Sequence, residues 1–120
     1  MLDVHKIHLL CGAFKGDFLL QSILTRIDPS VICEESRDAF DRRTYKKQFN
    51  SSDIAEFKHL LNCVVDVKYS SELINNLAKE LNFDFGMFKH YLSAEQIGEM
   101  SRQGMVFGSH TDSHPVMSRL

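Results

Sequence analysis

The sequence predicts an α/β protein that is rich in helix over residues 1–90. Two observations carry this. Several segments place apolar residues at helical spacing, as in "GDFLLQSILTRI", with apolar positions at 19, 20, 23, 24 and 27. Near the end, "LSAEQIGEMSRQGMVFGSH" reads as a helix, a turn on a single glycine and a short apolar strand. A helix feeding a strand through so tight a turn is α/β grammar.

The elements follow in order. The first residues carry Leu2, Val4, Ile7, Leu9 and Leu10, a pattern that leaves helix and strand nearly tied. The second segment is a helix, with Asp17 as a fair N-cap and Pro29 as a stop. "EESRDAFDRRTYKKQFN" mixes charges of both signs and reads as a solvated connector. "SSDIAEFKHLLNCVV" predicts a helix capped by Ser52 or Asp53, with Ile54, Phe57, Leu60 and Leu61 on one face. "SSELINNLAKELNF" predicts another, capped by Ser70 or Ser71, with Leu73, Ile74, Leu77, Ala78 and Leu81 in one stripe. "FDFGMFKHY" is an aromatic connector, either a short helix packed on a neighbour or the wall of a pocket. In the last helix Ser93 and Gln96 have capping-box spacing, Ile97 and Met100 form a short apolar face, and Gly104 sits where a helix ends. Met105–Val106–Phe107 then reads as a buried strand stopped by Gly108.

Composition narrows the classes of function. The 120 residues suit one domain, with 43% hydrophobic and 25% charged residues, both ordinary for a globular protein. A net charge of −2 gives no electrostatic footprint for nucleic acid. No apolar run approaches the roughly 20 residues of a membrane span. The opening "MLDVHKIHLLCGAF" lacks the basic-then-apolar order of a signal peptide, which favours a cytoplasmic setting. Three widely spaced cysteines, Cys11, Cys33 and Cys63, point the same way and argue against a disulfide framework. Asn50-Ser51-Ser52 matches a glycosylation sequon, a match frequent by chance.

The chemistry concentrates in "GSHTDSHP", where His110 and His114 lie four apart. On a helix that spacing would put both rings on one face, but Pro115 disfavours helical geometry for the residue before it. His110 therefore leaves the end of a strand and His114 sits at the mouth of a following helix. Thr111 and Ser113 are small and can bond loop backbone. Two neutral imidazoles suit zinc or another divalent transition metal, yet a catalytic zinc takes three protein ligands and an open position. Asp112 is a candidate third ligand, although neighbouring loop residues tend to diverge. On spacing alone a coincidental surface pair is the commoner reading. His5 and His8 could share a helix face, but no third ligand follows them. His59 and His90 read as half-buried or surface histidines.

The stretch "YLSAEQIGEMSRQGMVFGSHTDSHPVMSRL" resembles the polysaccharide deacetylase family, also called NodB-homology domains. The agreement lies in Leu92-Ser93, Ile97, Glu99-Met100, Gly104 and the run from Gly108 to Pro115, with Met117 in place of the usual leucine. Residues 1–90 carry no motif of the family. The resemblance implies a partial deformed (β/α) barrel of NodB type that hydrolyses N-acetyl, or O-acetyl, groups from a carbohydrate such as an N-acetylated sugar polymer. It implies that His110 and His114 bind a divalent metal, usually zinc, and that Thr111 helps hold the loop.

The family's Thr-Phe-Asp-Asp-Gly motif supplies its general base and third metal ligand. This sequence has no Asp-Asp pair. The expectation is therefore a single incomplete deacetylase domain over residues 1–120, with the metal-motif segment at 91–120 and the aspartates before Met1. The alternative is a catalytically inactive truncated remnant or a helical interaction module.

Overall fold

The computed structural model describes residues 1–33 and 48–108. The element order is α1 (Asp3–Ala13), α2 (Gly16–Leu24), a 3-10 turn (Pro29–Val31), α3 (Ser52–His59) running into a π turn (Leu60–Val64), α4 (Val67–Glu80), a second 3-10 turn (Phe85–Met87) and α5 (Ala94–Arg102). Most of the charged connector expected between α2 and α3 lies outside the described residues.

The tie over the first residues resolves to helix because packing decides it. Ile7 and Leu10, three apart, are both fully buried, and Cys11 and Phe14 pack beside them. Leu19 and Ile23 of α2, Phe57 of α3, Leu61 of the π turn, and Ile74, Leu77 and Ala78 of α4 complete one core. Burying an aliphatic or aromatic side chain contributes about 1.5–3 kcal/mol, so helices whose own propensity is modest are held by this shared face. Leu24, on the predicted α2 stripe, is instead exposed.

The helices start where the best cap meets the right register. α2 begins at Gly16, and Asp17 lies inside its first turn, with a carboxylate that accepts the Phe18 N–H at 2.8 Å. α3 is capped by Ser51, one residue before the expected Ser52, and its hydroxyl accepts the Ile54 N–H at 3.3 Å. α4 starts at Val67, earlier than Ser70 or Ser71 would allow, because Asp66 accepts the Lys68 N–H at 3.0 Å. Ser70 is buried within the helix and donates to the Leu61 carbonyl at 3.2 Å. The π turn places that cap. Val65 N–H reaches back five residues to the Leu60 carbonyl at 2.9 Å, which turns Val65 into the interior and into an isolated antiparallel bridge with Ile32.

Both α4 and α5 end on paired bonds around a left-handed residue. In α4 that residue is Asn82 at φ 52°, with Phe83 N–H on the Ala78 carbonyl at 2.8 Å and Asn82 N–H on the Lys79 carbonyl at 3.2 Å. In α5 it is Gly104 at φ 90°, with Met105 N–H on the Met100 carbonyl at 3.0 Å. After α4 the chain doubles back through the aromatic connector. Phe83 lies edge-on to Phe14 at 5.7 Å and to Phe85 at 5.4 Å, and it stacks on Phe88 at 5.6 Å. The connector thus contains a short helix packed on its neighbour.

The α/β barrel predicted from the sequence is not the fold. Among the described residues there is no strand, sheet or barrel; the nearest approach is the Ile32–Val65 bridge. The last helix and its glycine turn form as read. Met105–Phe107, expected to be a buried strand, has no ladder among the described residues, and its side chains are 55%, 96% and 44% exposed. A strand is completed by its neighbour's N–H and C=O groups, and the regular elements among the described residues are helices, whose backbone groups are already used internally.

The α2–α3 crossing depends on Gly16. A Cβ there would stand 2.9 Å from Ile54 Cγ1 and 3.0 Å from the Ile54 backbone nitrogen. Gly16→Ala is expected to destabilise the protein by about 1–3 kcal/mol in urea unfolding, although alanine is the better helix former. Phe57→Ala should cost about 3–5 kcal/mol in the same measurement.

Candidate metal centre

The path to the histidine loop is built by local chemistry. Ser93 Oγ accepts the Gln96 N–H at 3.1 Å, and Gln96 Oε1 accepts the Ser93 N–H at 2.8 Å, so the capping box is closed in both directions. Glu99 receives Arg102 Nη2 at 2.6 Å and Gln103 Nε2 at 2.8 Å, and these bonds hold its carboxyl below the usual carboxylate range. The helix therefore carries its own stabilising contacts on a solvated face. It contains no buried residue.

Gly108 is the last described residue of this segment. His110, Thr111 and His114, together with Asp112 and Pro115, lie outside the described residues. The structure brings none of them to a partner that can be described. Among the described residues, no group of three or more His, Cys, Asp or Glu side chains could hold a metal ion. In sequence, "GSHTDSHP" still offers two imidazoles, a donor type that suits zinc. A catalytic zinc takes three protein ligands.

The other histidines are placed individually. His5 and His8 both lie on α1, with His8 exposed and His5 half-buried. His59 is half-buried at the end of α3. His90 is exposed and stacks on Phe88 at 5.4 Å with an interplanar angle of 18°. His5 has a partner that the sequence gives no hint of. Its Nδ1 lies 2.8 Å from Tyr91 Oη, which also accepts the Leu2 N–H at 2.9 Å. The contact joins positions 86 and 89 residues apart, beyond the reach of any periodicity or spacing rule.

Cys11, Cys33 and Cys63 are each half-buried. Burial pushes the Cys11 thiol up to about 11, against a smaller opposing influence from the Lys58 ammonium. That ammonium is itself buried, within 3.1 Å of Asn50 Oδ1 and 3.4 Å of Gln48 Oε1. Asn50 of the sequon-like triplet is thus engaged with α3.

A mixed cleft is lined by Arg26, Leu73, Asn76, Lys79 and Glu80. Arg26 pairs there with Glu80 and also donates to the Ser22 carbonyl, so its charge is already committed. No helix among the described residues is long and apolar enough to cross a membrane. Comparison with family models, with curated proteins and with solved structures returns no match.

The raised Cys11 predicts both a reactivity and a pH dependence. The thiolate is the nucleophile, so Cys11 should alkylate more slowly in the native protein at pH 8 than after unfolding, read by mass spectrometry of the labelled peptide. The folded state holds this proton more tightly than the unfolded chain. Its contribution to stability is therefore complete below about pH 9 and is lost as pH rises towards about 11. A Cys11→Ser variant should show a shallower fall in denaturation midpoint across that window.

Proposed function

We propose that this chain carries part of the machinery of a metal-dependent carbohydrate deacetylase, with His110 and His114 as two ligands of a divalent metal, zinc, and Thr111 supporting their loop. The substrate class would be an N-acetylated, or O-acetylated, sugar polymer or glycan precursor. One observation carries the reading: the run from Leu92 to Pro115 agrees with the deacetylase pattern at its helix start, its glycine turn and both histidines. The helix and turn that precede the loop support it.

A bound zinc ion would supply Lewis acidity at the acyl carbonyl and acidify water near neutral pH. The chain's own part would be to present the imidazoles of His110 and His114, with Thr111 between them in sequence. With no Asp-Asp pair, the sequence offers no counterpart to the family's base and third ligand. Binding metal is thus within reach of these residues, whereas hydrolysis needs a carboxylate that this motif does not provide here.

A second reading, a helical interaction module, is favoured by α5 and the segment after it. Leu92, Ile97, Met105, Val106 and Phe107 are all exposed. Calorimetric titration with zinc separates the two. The metal reading expects micromolar or tighter binding, lost in His110→Ala and in His114→Ala, with α1–α4 unchanged by circular dichroism. Binding that is equal in the wild type and in both variants would sink it and leave the interaction module.

A further inference from the structure

The N-terminus of α1 is finished by a residue from the far end of the described chain. Its N-cap is Leu2, which has no side-chain acceptor, and α1 has no side-chain cap bond of its own. In a capping box, the N-cap N–H is met by a glutamate or glutamine three residues on. Gln96 does this for Ser93 in α5. In α1 that third position is His5, and the tyrosine hydroxyl stands between it and the backbone. Leu2 N–H donates to Tyr91 Oη at 2.9 Å, and Oη lies 2.8 Å from His5 Nδ1. The two rings also touch, with centroids 5.5 Å apart at 44°.

We propose that Tyr91 is a latch: its hydroxyl takes up the N-cap N–H of α1, the return half of a capping box, and thereby fixes where the α5 arm leaves the helical body. Tyr91 lies two residues before the α5 N-cap, Ser93. Among the described residues beyond Phe88, the hydrogen bonds that reach back to α1–α4 are those of Tyr91. α5 itself buries no residue, so its orientation depends on its root. The arrangement that satisfies every group has Leu2 donating to Oη and the Tyr91 hydroxyl donating to His5 Nδ1, with Nε2 as the ring's N–H. Docking of the arm and order in the first turn of α1 are then one equilibrium, each stabilising the other. The latch stands apart from the deacetylase reading; only its use, to aim the histidine loop, rests on that reading.

Tyr91→Phe removes the hydroxyl and keeps the ring. In the full chain, amide exchange at Leu2 is expected to speed up by about three- to tenfold, the worth of one ordinary hydrogen bond. Backbone order parameters over residues 93–104 should fall from about 0.85 to below about 0.6. Exchange at Leu19, Ile23, Ile74 and Leu77 should be unchanged. Adding His5→Gln tests the coupling, because that side chain can reach the Leu2 N–H directly. Protection of α1 should return while the arm stays loose. Unchanged order over 93–104 in Tyr91→Phe, or unchanged Leu2 exchange, would overturn the latch. So would a loss of protection that spreads evenly through α2 and α4.

Discussion

The close crossing of α2 over α3 at Gly16 is the constraint on which the rest of the body depends. Ile54 lies so near the Gly16 backbone that no side chain fits between them. That approach seats Leu19 and Ile23 in the same core as Phe57 and Leu61. α1 and α4 then share the core through Ile7, Leu10, Ile74 and Leu77, with Lys6 bridging Asp3 and Asn75 over the top. The polar bridge is half-solvated and worth little by itself. The buried apolar face stabilises the assembly, and the polar contacts align it.

Stability is consequently uneven along the chain. The core residues of α1–α4 have almost no exposure, whereas among the described residues none from 94 to 108 is buried. α5 relies on contacts within itself: a closed capping box, the Glu99–Arg102 pair and paired bonds around Gly104. A nine-residue helix is below the length at which isolated helices persist in water, roughly 12–15 residues, so local contacts alone leave it marginal. Low-stability elements are the ones from which binding and moving parts are drawn. A segment ending in candidate metal ligands has that character here.

What was legible in the sequence was local. The α4 stripe of Leu73, Ile74, Leu77, Ala78 and Leu81 could be read because a 3.6-residue period repeats through it, and all five lie in or against the core. The capping box at Ser93 and the left-handed turn at Gly104 could be read because their whole geometry is contained within a few residues. The start of α4 was missed because Asp66, Ser70 and Ser71 all make good caps. The choice among them was made by the π turn and the Ile32–Val65 bridge, which deliver Asp66 at the right place. The strand at Met105–Phe107 was misread for a similar reason. Apolar residues between glycines give the composition of a strand, but a strand exists only if a neighbour supplies the other half of its hydrogen bonds. Of the candidate site, His110, Thr111 and His114 are legible in sequence alone, since they fall outside the described residues.

Tyr91 shows how a long-range contact can stand in for a local rule. Leucine is among the poorest N-cap residues, and read locally it would argue against a helix starting at Asp3. Core packing of Ile7 and Leu10 makes the helix, and the N–H of its cap residue is met by a hydroxyl from residue 91, placed there by the aromatic connector that runs over Phe83, Phe85 and Phe88. That substitution has a thermodynamic consequence which a local cap would not. A glutamine at position 5 would meet that N–H whatever the arm did. With His5 there, and the N–H met by Tyr91, any ligand that fixes the α5 arm in its docked position also favours the first turn of α1, and one that draws the arm away frays it, by the same coupling free energy.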